Sequence, residues 1–310
     1  MPALMAQRLS IRARVVLGVA GAIVPAAIVA AALVGYDSYQ RERERVIRDT
    51  TATARALVAS VDGKLEKVEA ALFALGTSPH LAAGDLRRFH AQAAAALKDQ
   101  EFVNIVLLDA SGQQHVNTLR PFGVALPAGG NPQVLLKIPS SGKPAVTDIF
   151  RGPVAQRWLV GVGVPVAGKS GARYSLNAGI LPERLQEVLT RQKVPAQWVA
   201  AIFDTSGNVV ARTHQPGRFV GGQGAPALVQ KMKQADEGVV YTETLEGTAV
   251  VSVFSRSPVS GWTVAIGIPQ SELLRQVWNS MARLAIVAFV LMGSALGLAF
   301  WIGGRLSEPG

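Results

Sequence analysis

"LLDASGQQHVNT" (residues 107–118) returns in altered form as "IFDTSGNVVART" (residues 202–213). Asp109, Ser111, Gly112 and Thr118 recur as Asp204, Ser206, Gly207 and Thr213, at a constant offset of 204 − 109 = 95. In each copy an apolar run meets an aspartate that can accept turn N–H groups, then a glycine able to take positive φ. That is the chemistry of a tight hairpin. The two aspartates therefore read as turn-makers, not as a catalytic carboxylate pair, because each holds the same place in a different copy.

The sequence around each copy repeats as well. "FVNIVLLD" (102–109) reads as a buried strand, "QQHVNT" as its return, and "RWLVGVGVPV" (157–166) with "ARYSLNAGI" (172–180) as a hairpin. "WVAAIFD" (198–204), "NVVART" (208–213), "GVVYTETLEGTAVVSVFS" (238–255) and "GWTVAIGI" (261–268) supply a second set. "YSLNAGILPERLQ" (174–186) parallels "WTVAIGIPQSELL" (262–274): a strand leads through proline into a short amphipathic helix. The fold class is α+β, with two antiparallel units in series that open with the same hairpin.

Ahead of the repeats, Val46, Thr50, Ala54, Leu57, Val61, Leu65, Val68, Leu72 and Leu75 form one apolar stripe at helical spacing, with Gly63 as its weak point. A long helix over residues 37–78 is expected. Its stripe should pack on its own domain near Leu65–Leu75 and meet a partner helix, in a homodimer, nearer its start. Residues 81–98 read as a second helix.

Residues 15–36 and 284–304 carry no charge and are long enough for hydrocarbon-crossing helices, which need about 20 residues. The first run exceeds the roughly 7–15 apolar residues of a signal-peptide core, so it reads as a span, not a cleaved leader. Arg8, Arg12 and Arg14 precede it without an acid, which places the termini in the cytoplasm and residues 37–283 outside it. Two spans through the inner membrane are expected.

The formal charge is +10, but the basic residues are scattered, and the densest run, "RERERVIR" (41–48), alternates in sign. Nucleic-acid binding is not indicated. No cysteine is present, which excludes thiolate zinc sites and disulfides. His80, His90, His115 and His214 lie far apart, so no metal is expected. "GVPVAGKS" (163–170) fits the P-loop spacing, yet a strand-like run follows Ser170 where phosphate binding needs a helix N-terminus. No enzymatic activity and no cofactor are expected.

The order of span, long helix, two hairpin-led units and span resembles the double Cache sensor domain of bacterial transmembrane receptors. The likeness rests on "FVNIVLLDASGQQHVNTLRPFG", "WLVGVGVPV", "WVAAIFDTSGNVVART" and "GWTVAIGIPQSELL", and covers residues 37–275. The step Asn117-Thr118-x-x-Pro121-x-Gly123 is most similar to sensors of HWE-type histidine kinases. The resemblance implies two PAS-like subdomains, membrane-distal (79–187) and membrane-proximal (188–276), with a small ligand in the distal one. It also implies a signal carried through residues 284–304 into a cytoplasmic linker starting at 305–310. "GGRLSEPG" (303–310) is similar to the first residues of such a linker, so the chain reads as the input part of a sensor histidine kinase without its transmitter. The sensor of a chemoreceptor or diguanylate cyclase, and a membrane-tethered assembly protein, are the other readings.

Amino-acid-binding members of that family use an Arg-x-Trp-Tyr stretch and an amine-holding aspartate. Here Arg157 abuts Trp158, Leu159 follows, and Gly179 stands near the aspartate position. A small organic anion is therefore the expected ligand. Arg120, Arg151, Arg157, Trp158 and Tyr174 are the candidate contacts, because guanidinium binds carboxylate bidentately and aromatic rings wall a pocket.

Overall fold

In the computed structural model, the described residues are 11–97, 102–192 and 194–273, with scattered positions from 282 to 297. Two compact units are present. One is Ile47–Pro269; the other combines residues 1–46 with 270–310. The repeats lie in the first of these.

Helix α1 (Ile11–Gly76) is continuous. The first expected span, residues 15–36, is helical within it, although few of its side chains are described. Most of residues 284–304 lie outside the described residues. Among the described residues no helix is long and apolar enough to cross a membrane.

After α1 come α2 (Pro79–Ala83) and α3 (Leu86–Ala96). The single helix expected over 81–98 is thus broken. Gly84 closes α2 in the left-handed region, and Asp85 caps α3 by accepting from the Arg88 N–H. The rest of the first module is β1 (Phe102–Leu108), β2 (Gln114–Asn117), α4 (Gln133–Ser141), β3 (Ala145–Val146), β4 (Phe150–Arg151), β5 (Trp158–Ala167), β6 (Arg173–Ile180) and α5 (Pro182–Arg191). Its sheet runs β2-β1-β6-β5-β3, with β4 also on β5. The second module is β7 (Val199–Phe203), β8 (Val209–Arg212), α6 (Pro216–Phe219), α7 (Pro226–Gln234), β9 (Glu237–Glu243), β10 (Ala249–Arg256) and β11 (Thr263–Pro269). Its sheet runs β8-β7-β11-β10-β9. All pairings are antiparallel, and the two strand orders correspond.

The repeated phrase makes the same turn twice. Asp109 Oδ1 accepts from the N–H groups of Ser111 (2.8 Å) and Gln113 (3.1 Å); Asp204 Oδ1 accepts from those of Ser206 (3.0 Å) and Asn208 (2.8 Å). Gly112 and Gly207 have φ of 86° and 85°, which a side chain would strain. Each returning strand carries the same one-residue irregularity, at Leu107/Leu108 and Ile202/Phe203. The recurrent threonine closes the far end: Thr118 Oγ1 accepts from Ile105 N (2.9 Å) and Thr213 Oγ1 from Ala200 N (3.1 Å).

Pleating turns alternate residues to opposite faces. One face of each sheet, with Ile105, Leu107, Val160, Val162, Ala200, Ile202 and Val264 among others, joins the stripe of α1 in a single core. Burial of the stripe runs from Ala54 through Leu57, Val61, Leu65 and Val68 to Leu72. Packing on this chain's own sheets thus extends beyond Leu65–Leu75 toward the start of the stripe, as far as Ala54. Asp62 fixes that half of α1 to the second module, accepting from Ser257 Oγ (2.6 Å) and Ser260 Oγ (2.9 Å). The opposite faces carry smaller clusters, one with Leu135 and Ile138 of α4, the other with Leu228, Val229 and Met232 of α7.

Candidate functional site

Beneath α4, the first sheet presents polar side chains where a core would place apolar ones. Asn104 on β1, Gln114 and Asn117 on β2, and Asn177 on β6 are all buried. They line a cavity of about 40 Å³ with Asn131, Val106, Leu108, Leu135, Phe150, Gly152–Ala155 and Leu159. Glycines leave space for these amides: a Cβ at Gly163 would lie 2.2 Å from Asn177 Oδ1, and one at Gly179 2.4 Å from Asn104 Oδ1.

Most of these amides are paired. Asn117 Nδ2 donates to Gln114 Oε1 (2.8 Å), Gln114 Nε2 to Asn131 Oδ1 (3.1 Å), and Asn131 Nδ2 to Gly112 O (3.1 Å). Asn177 Oδ1 accepts from Ser175 Oγ (2.7 Å), while its Nδ2 donates to Ser175 O and Val106 O. Asn104 Oδ1 is the exception. It is buried, lines the cavity and has no hydrogen-bond partner. Leaving such an acceptor unpaired costs about 1–3 kcal/mol, so it calls for a donor from whatever enters. No charged residue lines this cavity.

The five residues expected from sequence lie elsewhere. Arg151 and Trp158 pair across β4 and β5, and Arg157 adjoins them, but all three are exposed. Arg157 donates to Glu183 (3.2 Å), and Trp158 packs over Gly221 of the second module. Tyr174 is on β6, paired with Val166 at the far end of β5, and edge-on to His115. Arg120 is exposed, and its carbonyl lies 2.9 Å from His90 Nε2. The structure gathers none of the five into the cavity wall. Phe150, Gly152–Ala155 and Leu159, neighbours in sequence of Arg151 and Trp158, do line it. The amides went unnoticed, although an asparagine inside an apolar strand, as in "FVNIVLL" and "YSLNAGI", is itself a signal of a buried polar requirement.

The P-loop-like stretch runs along β5 into a turn at Lys169–Gly171, and β6 follows, so no helix opens at Ser170.

No family model and no curated protein sequence matches the chain. Solved structures do. The chain is similar to methyl-accepting chemotaxis protein X (15% identity, 74% of this chain and 99% of that one, TM-score 0.59). It is similar to the ligand-binding domain of the Campylobacter jejuni chemoreceptor Tlp3 in complex with L-valine (12%, 76% and 97%, 0.54). It is also similar to the sensor domain of the V. cholerae histidine kinase DctB (9%, 74% and 98%, 0.52). The fold is that of the sensor domains of histidine kinases and chemoreceptors, the double Cache arrangement that the sequence resembles.

Proposed function

We propose that the chain is the sensor module of a membrane receptor and that a small uncharged ligand binds the amide-lined cavity of its first module. The unpaired Oδ1 of Asn104 carries the reading: it asks for a hydroxyl or amide N–H, and no ionic group stands ready for an anion or an amine. A cavity of about 40 Å³ has room for a few water molecules only. Binding therefore requires the wall at Gly152–Ala155 to move outward, a change driven by higher ligand affinity for the opened state.

In this reading residues 15–36 and 284–304 span the inner membrane and residues 37–283 lie outside the cytoplasm. The first module (79–187) is distal and the second (188–276) proximal. Two copies assemble through faces of α1 other than its buried stripe. The output is a histidine kinase; the finer likeness to HWE-type kinases rests on the step from Asn117 to Gly123. Chemoreceptor output is the second reading, favoured by the similarity to Tlp3 and chemotaxis protein X.

The test is a thermal-shift array of polyols, small amides, amino acids and organic acids on the full chain, repeated with Asn104→Leu and Arg157→Ala. A hit whose shift disappears in Asn104→Leu and persists in Arg157→Ala supports the cavity. The reverse pattern overturns it and restores the arginine site.

A further inference from the structure

The cavity under α4 has a counterpart in the second module. An offset of 95 carries Asn104, Val106, Leu108, Gln114 and Asn117 onto Val199, Ala201, Phe203, Val209 and Arg212, all of which line a second cavity of about 40 Å³. The β6–β11 offset, 262 − 174 = 88, carries Asn177 and Gly179 onto Ala265 and Gly267, also in that lining. Sheet registers agree: Val106 pairs with Asn117 and Asn177, and Ala201 with Arg212 and Ala265. One pocket has been kept twice, with different chemistry inside.

In the second copy the amides have become apolar, and the place of Asn117 holds an arginine. The Arg212 side chain is only 4% exposed. A buried guanidinium needs an anion, and here the chain supplies it. Glu246, in the turn between β9 and β10, forms two parallel bonds with Arg212, Nη1–Oε1 and Nη2–Oε2, each 2.6 Å. Arg212 also donates to His214 O (3.1 Å), and its guanidinium stands 4.7 Å from the centre of the Phe219 ring. β8 and β9 are opposite edges of the sheet. The Thr242–Leu245 segment that delivers Glu246 therefore lies across the pocket face as a strap.

We propose that this second pocket is a carboxylate-binding site occupied in cis, with Glu246 standing where the carboxylate of a small free acid would sit. The fork-to-fork geometry is that by which arginine recognises free carboxylates. Tethering gives Glu246 an effective concentration in the millimolar range or above, which keeps external acids out. The Arg212 hydrogen bonds hold the Glu246 carboxyl down at about 2, so the plug stays charged at neutral pH. The second module is in this way closed without a ligand of its own, and the inference stands whether or not the first cavity binds the proposed ligand.

The experiment uses the full chain as wild type, Glu246→Ala, and the double variant Arg212→Met with Glu246→Ala. Tm is read in sodium chloride and, at equal ionic strength, in about 50 mM sodium acetate or propionate. Glu246→Ala should lower Tm by about 5–10 °C. Acetate should restore roughly 3 °C or more of that loss, while leaving wild type and the double variant unmoved. Should Glu246→Ala not fold, Glu246→Gln, which keeps the strap's shape, is titrated with ¹³C-acetate and followed by line broadening. Absence of an Arg212-dependent acetate effect in the folded variant overturns the proposal, as does an equal effect in wild type.

Discussion

Asp148 of the first module is held by Ser206 of the second: the serine hydroxyl donates to Oδ2 at 2.6 Å. Thr205 adds its N–H (3.0 Å) and its hydroxyl (2.7 Å) to Oδ1 of the same carboxylate. The next residue, Ile149, donates its N–H to Asp204 Oδ2 (3.2 Å). The second copy of the repeated turn is thus a socket for the loop that leads into β4. Residues just beyond that loop form the wall of the first cavity, and Trp158 at its end lies against Gly221. A displaced wall must pull on the Asp204–Ser206 turn.

Asp148→Ala should expose this link. Charge-assisted hydrogen bonds contribute about 1.5–3 kcal/mol, so a loss in that range is expected from chemical denaturation. Amide exchange at Thr205 should accelerate, because its N–H loses its acceptor. Asp148→Asn, which keeps an oxygen there, should protect Thr205 better than alanine. Unchanged exchange in the alanine variant would mean that the socket holds by other contacts.

The two repeated aspartates should differ in their response to acid. Burial pushes Asp109 upward, but hydrogen bonds from Ser111, His115 and Gln113 together overcome it and hold the carboxyl at about 2. A depressed folded value gives stability that is present above the ordinary aspartate range and lost as pH falls toward 2. Asp204 is raised, first by burial and further by the nearby Asp148 carboxylate, against the pull of Asn208. Its contribution has the opposite sign: absent at neutral pH, it appears as pH falls through the raised value. On acidification the Tm gap between wild type and Asp109→Asn should narrow, and that between wild type and Asp204→Asn should widen. Parallel curves for the two variants would contradict the assignment.

The hairpins were legible because turn chemistry is local: an aspartate, a glycine and flanking apolar runs suffice. The stripe on α1 was legible for the same reason, but not what covers it, since Asp62 meets Ser257 and Ser260 only once the second sheet is built. α4 was hidden among Pro127, Pro132, Pro139 and Pro144, and it carries Pro139 inside. The amide-lined cavity was not legible, because arginines and tryptophan announce binding chemistry, whereas Asn104 and Asn177 become unusual only when their burial is known. The tether from Arg212 to Glu246 joins opposite sheet edges, which no local pattern reveals.

Glycine substitutions should separate helix from pocket. A Cβ at Gly63 would meet nothing within 4 Å. Gly63→Ala should therefore stabilise the chain by about 0.5–1 kcal/mol through helix propensity alone. Gly163→Ala would push a methyl group into Asn177 Oδ1 and the Ile138 side chain. It should cost roughly 1–3 kcal/mol by overpacking and abolish any ligand-induced shift. A stable, ligand-responsive Gly163→Ala protein would show that the space above Asn177 is not needed.

Finally, the duplication itself can be tested through its threonines. Ile105 and Ala200 are fully buried, and each gives its N–H to the threonine thirteen residues on, Thr118 or Thr213. Valine matches threonine in shape but cannot accept a hydrogen bond, so each substitution strands a buried N–H at a cost of about 1–3 kcal/mol. The two bonds close the same end of the same hairpin, but Thr213 Oγ1 also lies 3.0 Å from His214 Nδ1, so Thr213→Val should cost at least as much as Thr118→Val. The sites lie in separate sheets with no shared partner, so the double variant should cost their sum. Denaturant unfolding of the three variants checks this. Additive losses support two structurally equivalent hairpins, whereas one silent threonine would mean that the repeat is kept in sequence but used in only one module.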